Sequence, residues 1–487
     1  MHSENVILHS LQCMKDSGLP CLLMVTHALG GGVERHVQEL QAVLHKRAHV
    51  ITLRPHVHAQ QVLLTVPLYK VGDGVLPSQE SLRLAFKWPQ DSVRLREWLD
   101  VLGVTRVHVH HVLGFSEAFW QRLFEWQLPL DLTLHDHSIF TGNPSLLDER
   151  GCFDQSWLNN GLSALPPGDS QVAQALQNLA LHAQRVIVPS QALASAVSKI
   201  FPNLCVQVRS HPERERDGQY PALQQIQLSP NQPLKVLCLG MLGIEKGAYA
   251  LAQAAALAAQ QQLNIEFILL GACHVTLPKS VRCLGLYQDA DLLSLIAEVE
   301  PHLLWLPAQC PETWSYTLSA GLRAGLPVIA SDLGALPERL VGRPFTQLLA
   351  HTSTAEQWLV AMQQMRKHIL DEQASNMLYW LQNECEGFYL MPVLSAEEKA
   401  DISEQGYLQS GGTRGGIIDG LPKGLLQAQQ LAVQSVGRWR VLLLRVVYVL
   451  SRSPMLASLV HYIPYRWQRR LKRAISRAPL DSRTLRK

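Results

Sequence analysis

Short apolar runs alternate, along the first two thirds of the chain, with longer stretches whose apolar residues recur every three to four positions. CLLMVT, residues 21–26, reads as a buried strand, the glycines that follow as a turn, and residues 33–45 as an amphipathic helix. The same order returns with HVITL, VHVHHV, DLTLHD and VIVPS, and Ser190 stands where it would cap the helix QALASAVSKI. From His211 to Pro233 the periodicity lapses into polar, proline-containing sequence, after which LKVLCLG, IEFILLGA, VRCLGL, PHLLWLP and LPVIASD begin a second series. Strands alternating with helices imply parallel, doubly wound sheets. The pattern therefore predicts an α/β chain of two Rossmann-like domains, residues 1–215 and 232–385, with a ligand cleft between the carboxyl ends of the two sheets, and a separate extension over 386–487.

Composition agrees: 487 residues at 47% hydrophobic content supply cores for two or three domains and exclude a disordered or fibrous chain. Net charge, +3, names no partner, but its distribution is uneven. From Arg438 onward thirteen Lys/Arg face the single acid Asp481, a net +12, which leaves −9 on the preceding 437 residues. That segment mixes leucine and valine runs with arginines and with Trp439, Tyr462, Tyr465 and Trp467, a combination suited to an anionic membrane surface. It equally reads as helices packed on the domains with a solvated basic face, and its apolar content is high for a nucleic-acid arm, so no nucleic-acid partner is expected. The apolar run at 441–450 contains Arg445 and is too short to span a bilayer. Nine scattered cysteines without a CxxC spacing argue against a zinc ribbon or disulfide framework, and the N-terminus lacks the order of a signal peptide. A cytoplasmic location is expected.

Three loops carry candidate chemistry. Gly30, Gly31 and Gly32 separate the first strand from its helix, where glycine lets a ligand approach the backbone and the helix N-terminus attracts an anion; a plain tight turn would look the same. Lys246, in GMLGIEKGAYALAQAA, precedes a helix, the unfavourable end of the dipole for a cation unless an anion binds there. Glu312, in PETWSYTLSAG, follows a strand and precedes another helix, either as a dipole complement or as a group at the mouth of the cleft. Two other clusters look functional and have simpler readings. His135, Asp136 and His137 alternate in direction at a strand end, so they do not share a metal, although His108, His110 and His111 are near in sequence. Asp289 and Asp291 begin a helix and read as its cap rather than as a metal–diphosphate motif.

The combination of GGGVERHV, VIVPSQAL, the Lys246 turn and PETWSYTLSAGLRAGLPVIASD resembles family 4 of the retaining, nucleotide-sugar-dependent glycosyltransferases, which have the GT-B fold. The resemblance runs from about Cys21 to Arg339, and PETWSYTLS and VTHALGGGVERH look like bacterial enzymes that build O-antigen or other surface polysaccharide. It implies that Glu312 is the first acid of an E-x7-E element beside the donor sugar, and that Lys246 neutralises the departing diphosphate. It also implies that His135 touches the sugar, that Gly31 and Gly32 line the donor site, and that the backbone of Trp314, Ser315, Tyr316 and Thr317 runs beside the diphosphate. The chain departs from the family pattern at Met241, where an arginine is common, and at Ala320, where the second acid would hold the donor ribose. The resemblance further implies a nucleotide-sugar co-substrate, a glycan or lipid-linked acceptor, and no metal or other cofactor; the basic, aromatic tail points to a peripheral position on the inner face of the membrane.

Overall fold

A computed structural model describes residues 4–27, 30–56, 61–69, 77–213, 219–220, 228–371 and 379–380. The first sheet has eight strands: β1 (Cys21–Val25), β2 (His49–His56), β3 (Gln61–Tyr69), β4 (Pro77–Lys87), β5 (Val104–Val109), β6 (Leu130–Thr133), β7 (Arg185–Val188) and β8 (Val206–Val208). Their order is β4-β3-β2-β1-β5-β6-β7-β8. The six from β2 to β8 in that order run parallel, as the alternating pattern predicts. The edge departs from it, because β3 and β4 form an antiparallel hairpin against β2. Strand β3 shows why: its residues alternate buried and half-buried, the period-two pattern of a sheet with one wet face, whereas β1 is buried throughout.

The helix Gly31–Leu44 crosses from β1 to β2 and buries Val37, Leu40 and Leu44, spaced three and four apart, against Leu22 and Met24. Because β1 lies between β2 and β5, strand order reverses there, and the crevice at the carboxyl end of β1 opens beside this helix. The expected cap is present on the helix Gln191–Ile200, where Ser190 Oγ accepts from the Leu193 N–H at 3.3 Å.

After β9 (Gln219–Tyr220) comes the second sheet, built from β10 (Leu234–Leu242), β11 (Ile265–Cys273), β12 (Val281–Gly285), β13 (Leu303–Leu306), β14 (Val328–Ser331) and β15 (Thr346–Leu349). It is parallel throughout, in the order β12-β11-β10-β13-β14-β15, so its reversal point falls between β10 and β13. Helices Ala248–Gln260 and Ala355–Asp371 cover one face around Trp305 and Trp358; Leu292–Val299 and Tyr316–Arg323 cover the other around Leu304 and Leu318. A short final strand, β16 (Tyr379–Trp380), pairs antiparallel with β9, tying the chain beyond the second sheet to the segment between the domains. Two Rossmann-like domains thus face each other across a cleft. No helix among the described residues is long and apolar enough to cross a membrane. The extension 386–487, with its basic segment, lies outside the described residues.

Candidate active site

On the second domain's side the site is built on the loops after β10 and β13. Glu312 forms an isolated parallel bridge with Gly334, and its carbonyl accepts from the Ala335 N–H at 2.7 Å. Gly334 has φ of 63°, and a Cβ there would lie 2.3 Å from the Glu312 oxygen, so only glycine permits this approach. The Glu312 carboxylate, in a side chain 11% exposed, pairs directly with the ammonium of Lys246, which ends the turn Ile244–Lys246 beyond β10. Burial pulls the lysine's pKa down, but the Glu312 charge, together with Cys310 and the hydrogen bond to Glu312, more than offsets it and holds the amine above its ordinary value. Lys246 is therefore a fixed cation at the cleft, with 42% of its side-chain surface still open.

The next residues are held by a buried cluster. Arg339 donates from Nη1 to the carbonyls of Trp314 (2.7 Å) and Ser315 (2.8 Å), and from Nη2 to Ser319 Oγ (2.9 Å), while its guanidinium lies 3.8 Å above the Trp314 ring. Glu213, from the segment between the domains, accepts from Trp314 Nε1 at 3.3 Å and from Ser319 Oγ at 2.5 Å, 3.8 Å from Arg339. These bonds pin Ser315 at φ of 75°, from where its hydroxyl accepts from the Leu318 N–H at 3.4 Å. The helix Tyr316–Arg323 thus starts beside this loop, and a helix N-terminus attracts an anion. Sequence reasoning missed Glu213, Ser319 and Arg339. Glu213 sits in HPERERDG, a run that reads as solvated, and nothing local in ALPERL singles out its arginine.

Across the cleft, Gly30 (φ 73°) and Gly31 (φ 78°) open the helix Gly31–Leu44 with no atom within 4 Å of where a Cβ would sit. A Cβ on Gly32 would meet Tyr316 Cδ2 of the second domain at 4.0 Å. The structure thus brings Gly32 and Tyr316 together, while Gly31 stands open beside them. Arg35, one turn along, lies 4.7 Å from the Tyr316 ring centroid and 3.7 Å from Asp289. The aspartate reading needs correction here: Asp291 precedes the helix Leu292–Val299 but makes no side-chain cap bond, and Asp289 instead reaches toward the first domain.

His135 follows β6, and its carbonyl accepts from the Thr313 hydroxyl at 2.6 Å, a direct link to the Glu312 loop. Its Nε2 lies 3.2 Å from His110 Nδ1, and its ring centroid 4.6 Å from that of His36 and 5.0 Å from that of His211. Burial, then the neighbouring imidazoles, hold His36, His110 and His135 well below the ordinary histidine pKa; for His211 burial is followed by His135 and Arg339. His135 is accordingly neutral and offers hydrogen bonding, not charge. Asp136 has different partners: burial raises its pKa, but His111 at 3.5 Å and the Ser138 N–H at 2.8 Å bring it below the usual range. His137 lines a cavity of ≈ 250 Å³ between the domains, together with Phe153 and Lys199 of the first and Glu312, Asp332 and Gly334 of the second. Met241 ends β10 in an exposed position, whereas Ala320 is fully buried among the leucines beneath its helix.

Residues 30–205, from the glycine loop to just short of β8, match the model of the family described as Glycosyltransferase Family 4. No curated protein sequence matches the chain. Solved structures of similar outline include sucrose-phosphate synthase from Thermosynechococcus elongatus, 14% identical with a TM-score of 0.49 over 80% of this chain and 98% of that one. They also include HepE of Anabaena in complex with UDP and glucose, 15% identical with a TM-score of 0.45 over 73% and 92%. A glycosyltransferase from Rickettsia africae is 12% identical, with a TM-score of 0.42 over 73% and 95%. Residues 30–205 of the first domain are therefore similar in sequence to family 4 glycosyltransferases, and the second Rossmann-like domain, opposite, bears Lys246 and Glu312.

Proposed function

We propose that the chain is a retaining glycosyltransferase that moves a sugar from a nucleotide-sugar donor to a glycan or lipid-linked acceptor in bacterial surface polysaccharide synthesis. The observation that carries this reading is the Lys246–Glu312 pair at the second sheet's reversal point, facing the open glycine start of a helix in a domain that matches the family. Breaking the bond between the anomeric carbon and phosphate oxygen leaves negative charge on the diphosphate. Lys246 and the N-terminus of the helix Tyr316–Arg323 are placed to stabilise that charge, with the Gly30–Gly31 helix start opposite. On donor binding Lys246 exchanges its carboxylate partner for phosphate, which frees Glu312 to accept from sugar hydroxyls. The acceptor oxygen then bonds to the anomeric carbon from the face the diphosphate leaves, and its proton passes to a phosphate oxygen, so no separate base is needed. Neutral His135 lines the cleft beside the sugar without adding charge there. No metal is given a role in the transfer.

A second reading has a specific basis: Met241 and Ala320 stand where an arginine and the ribose-binding acid are usual, and a donor-binding scaffold without turnover would tolerate both. A panel of UDP-, GDP- and dTDP-sugars, screened by thermal shift and then for nucleoside diphosphate release, separates the two. Release supports the enzyme, stabilisation without release supports the scaffold, and no response to any donor defeats both. We further place the protein at the cytoplasmic membrane face through residues 438–487, where each basic side chain near an anionic leaflet contributes about 1 kcal/mol. Flotation with anionic liposomes that weakens with salt tests this, and a chain that stays unbound at low salt refutes it.

A further inference from the structure

We propose that His36, His135 and His211 form a binding site for a divalent transition-metal ion of the zinc class. The three are distant in sequence and arrive on separate elements: His36 from the second turn of the helix Gly31–Leu44, His135 from the end of β6, and His211 from the segment that leaves β8 toward the second domain. One ligand atom from each lies within 4.8 Å of the others. A zinc–nitrogen bond is about 2.0–2.1 Å, so three nitrogens at that spacing close on one ion if each moves inward by roughly 0.7 Å, within reach of ring rotation. The donor set is wholly imidazole, which suits zinc, cobalt, nickel or copper and not calcium or magnesium. His110, its Nδ1 3.2 Å from His135 Nε2, stands where an outer-shell partner would fix that ring. His211 Nδ1 and His110 Nε2 are buried without a hydrogen-bond partner among the described residues, a costly arrangement for an ordinary core.

The site is also placed to matter mechanically. The His211 ring lies nearly parallel to Tyr316 at 5.8 Å and 5.6 Å from Trp314, so an ion on His211 would tie the segment between the domains to the first domain at the point where it meets the second. Three protein ligands leave a fourth position for water or a small anion.

The test uses the full-length protein stripped with chelator. Calorimetric titration with Zn2+ should show one ion per chain, and Co2+ should give the visible bands of a tetrahedral, nitrogen-ligated centre without thiolate charge transfer. His36→Ala and His211→Ala should each weaken Zn2+ binding at least tenfold, whereas His182→Ala, at an exposed histidine outside the cluster, should not. The wild-type Co2+ spectrum needs no variant and stays decisive if either substitution impairs folding. Absence of those bands, thiolate bands in their place, or undiminished Zn2+ binding in both folded variants overturns the proposal. Because the readout is metal binding alone, failure here is distinct from failure of the transferase reading.

Discussion

Lys246 and Glu312 offer the sharpest test, because the structure separates their contribution to the fold from their contribution to chemistry. The Lys246 side chain keeps 42% of its surface, so water reaches and screens the pair, and its loss should cost the fold about 1 kcal/mol rather than the 3–5 kcal/mol of a fully buried pair. At roughly 2–4 °C per kcal/mol for domains of this size, Lys246→Ala should melt only a few degrees below wild type. Glu312→Gln should do less, since it keeps the volume and an oxygen that accepts from the ammonium. Transfer is another matter. A preorganised charge that stabilises a departing anion is worth about 10²–10³ in rate, and Lys246→Ala removes one directly. Glu312→Gln removes the carboxylate proposed to orient the sugar and should bring a comparable loss. Donor turnover followed by nucleoside diphosphate release, alongside thermal melts of the same preparations, gives both numbers. Turnover within threefold of wild type in both variants would remove the pair from the reaction; a collapse in melting temperature of both would mean that it is structural.

Arg339→Lys keeps the charge but cannot span the two carbonyls and the serine together, so it should destabilise by about 1–3 kcal/mol and lower kcat through the displaced 312–315 loop; unchanged melting and rate would refute the anchor. The buried histidines set the acid limit: their folded pKa values lie below the unfolded value of about 6.5, with His27 at about 3, so their neutral packing stabilises fully above that pH and is progressively lost as pH falls toward the depressed values. Each contributes about 1.4 kcal/mol per pH unit over that window, and a melting temperature that stays flat from pH 7 to 5 would contradict the arrangement. Ala320→Glu would restore the missing acid of the family pattern, but Ala320 is fully buried in apolar surroundings, so an unpaired carboxylate there should cost the free protein about 3 kcal/mol or more, part of it recovered on donor binding. A variant as stable as wild type without donor would show that the helix has room for the acid.

Much of this was readable from the chain because it is local. Two series of apolar runs, each strand followed by a helical pattern, set the two parallel sheets, and Ser190 caps its helix as its position predicts. Gly30, Lys246 and Glu312 stand in the loops that follow β1, β10 and β13, so topology alone carries them to the ends of sheets where ligands bind. What escaped was non-local. Strands β3 and β4 carry an alternating pattern, but their antiparallel pairing at the edge is a tertiary choice. Glu213 looks solvated in its polar run and becomes buried only because Arg339 and Trp314, more than a hundred residues on, enclose it. The histidines show the same limit: His135 was compared with its neighbours in HDH, whereas its actual companions, His36 and His211, are about a hundred residues upstream and seventy-six downstream.

The contacts across the cleft are unequal, and the inequality bears on how a donor enters. On the glycine side, Arg35 meets Asp289 at 3.7 Å with the aspartate 59% exposed, a screened pair worth no more than about 1 kcal/mol, and its contact with Tyr316 adds a similar amount. On the other side, the Glu338 carboxylate accepts from the first amides of the helix Gln191–Ile200 at 3.1 and 2.9 Å, and Trp314 is held by buried bonds to Glu213 and Arg339. Separating the domains is therefore cheapest where Gly32 faces Tyr316, the place the proposed transferase would give to the donor diphosphate. Arg339 keeps the 312–315 loop with the second domain, so Glu312 and Lys246 move together and their mutual geometry is independent of opening. The first domain adds, on the facing wall, the helix start at Gly30 and Gly31 and a neutral His135 whose carbonyl takes the Thr313 hydroxyl. On the proposed transferase reading, charge is thus preorganised on one domain while contact with the sugar falls to the other, an order in which the donor's own binding energy would assemble the reacting geometry.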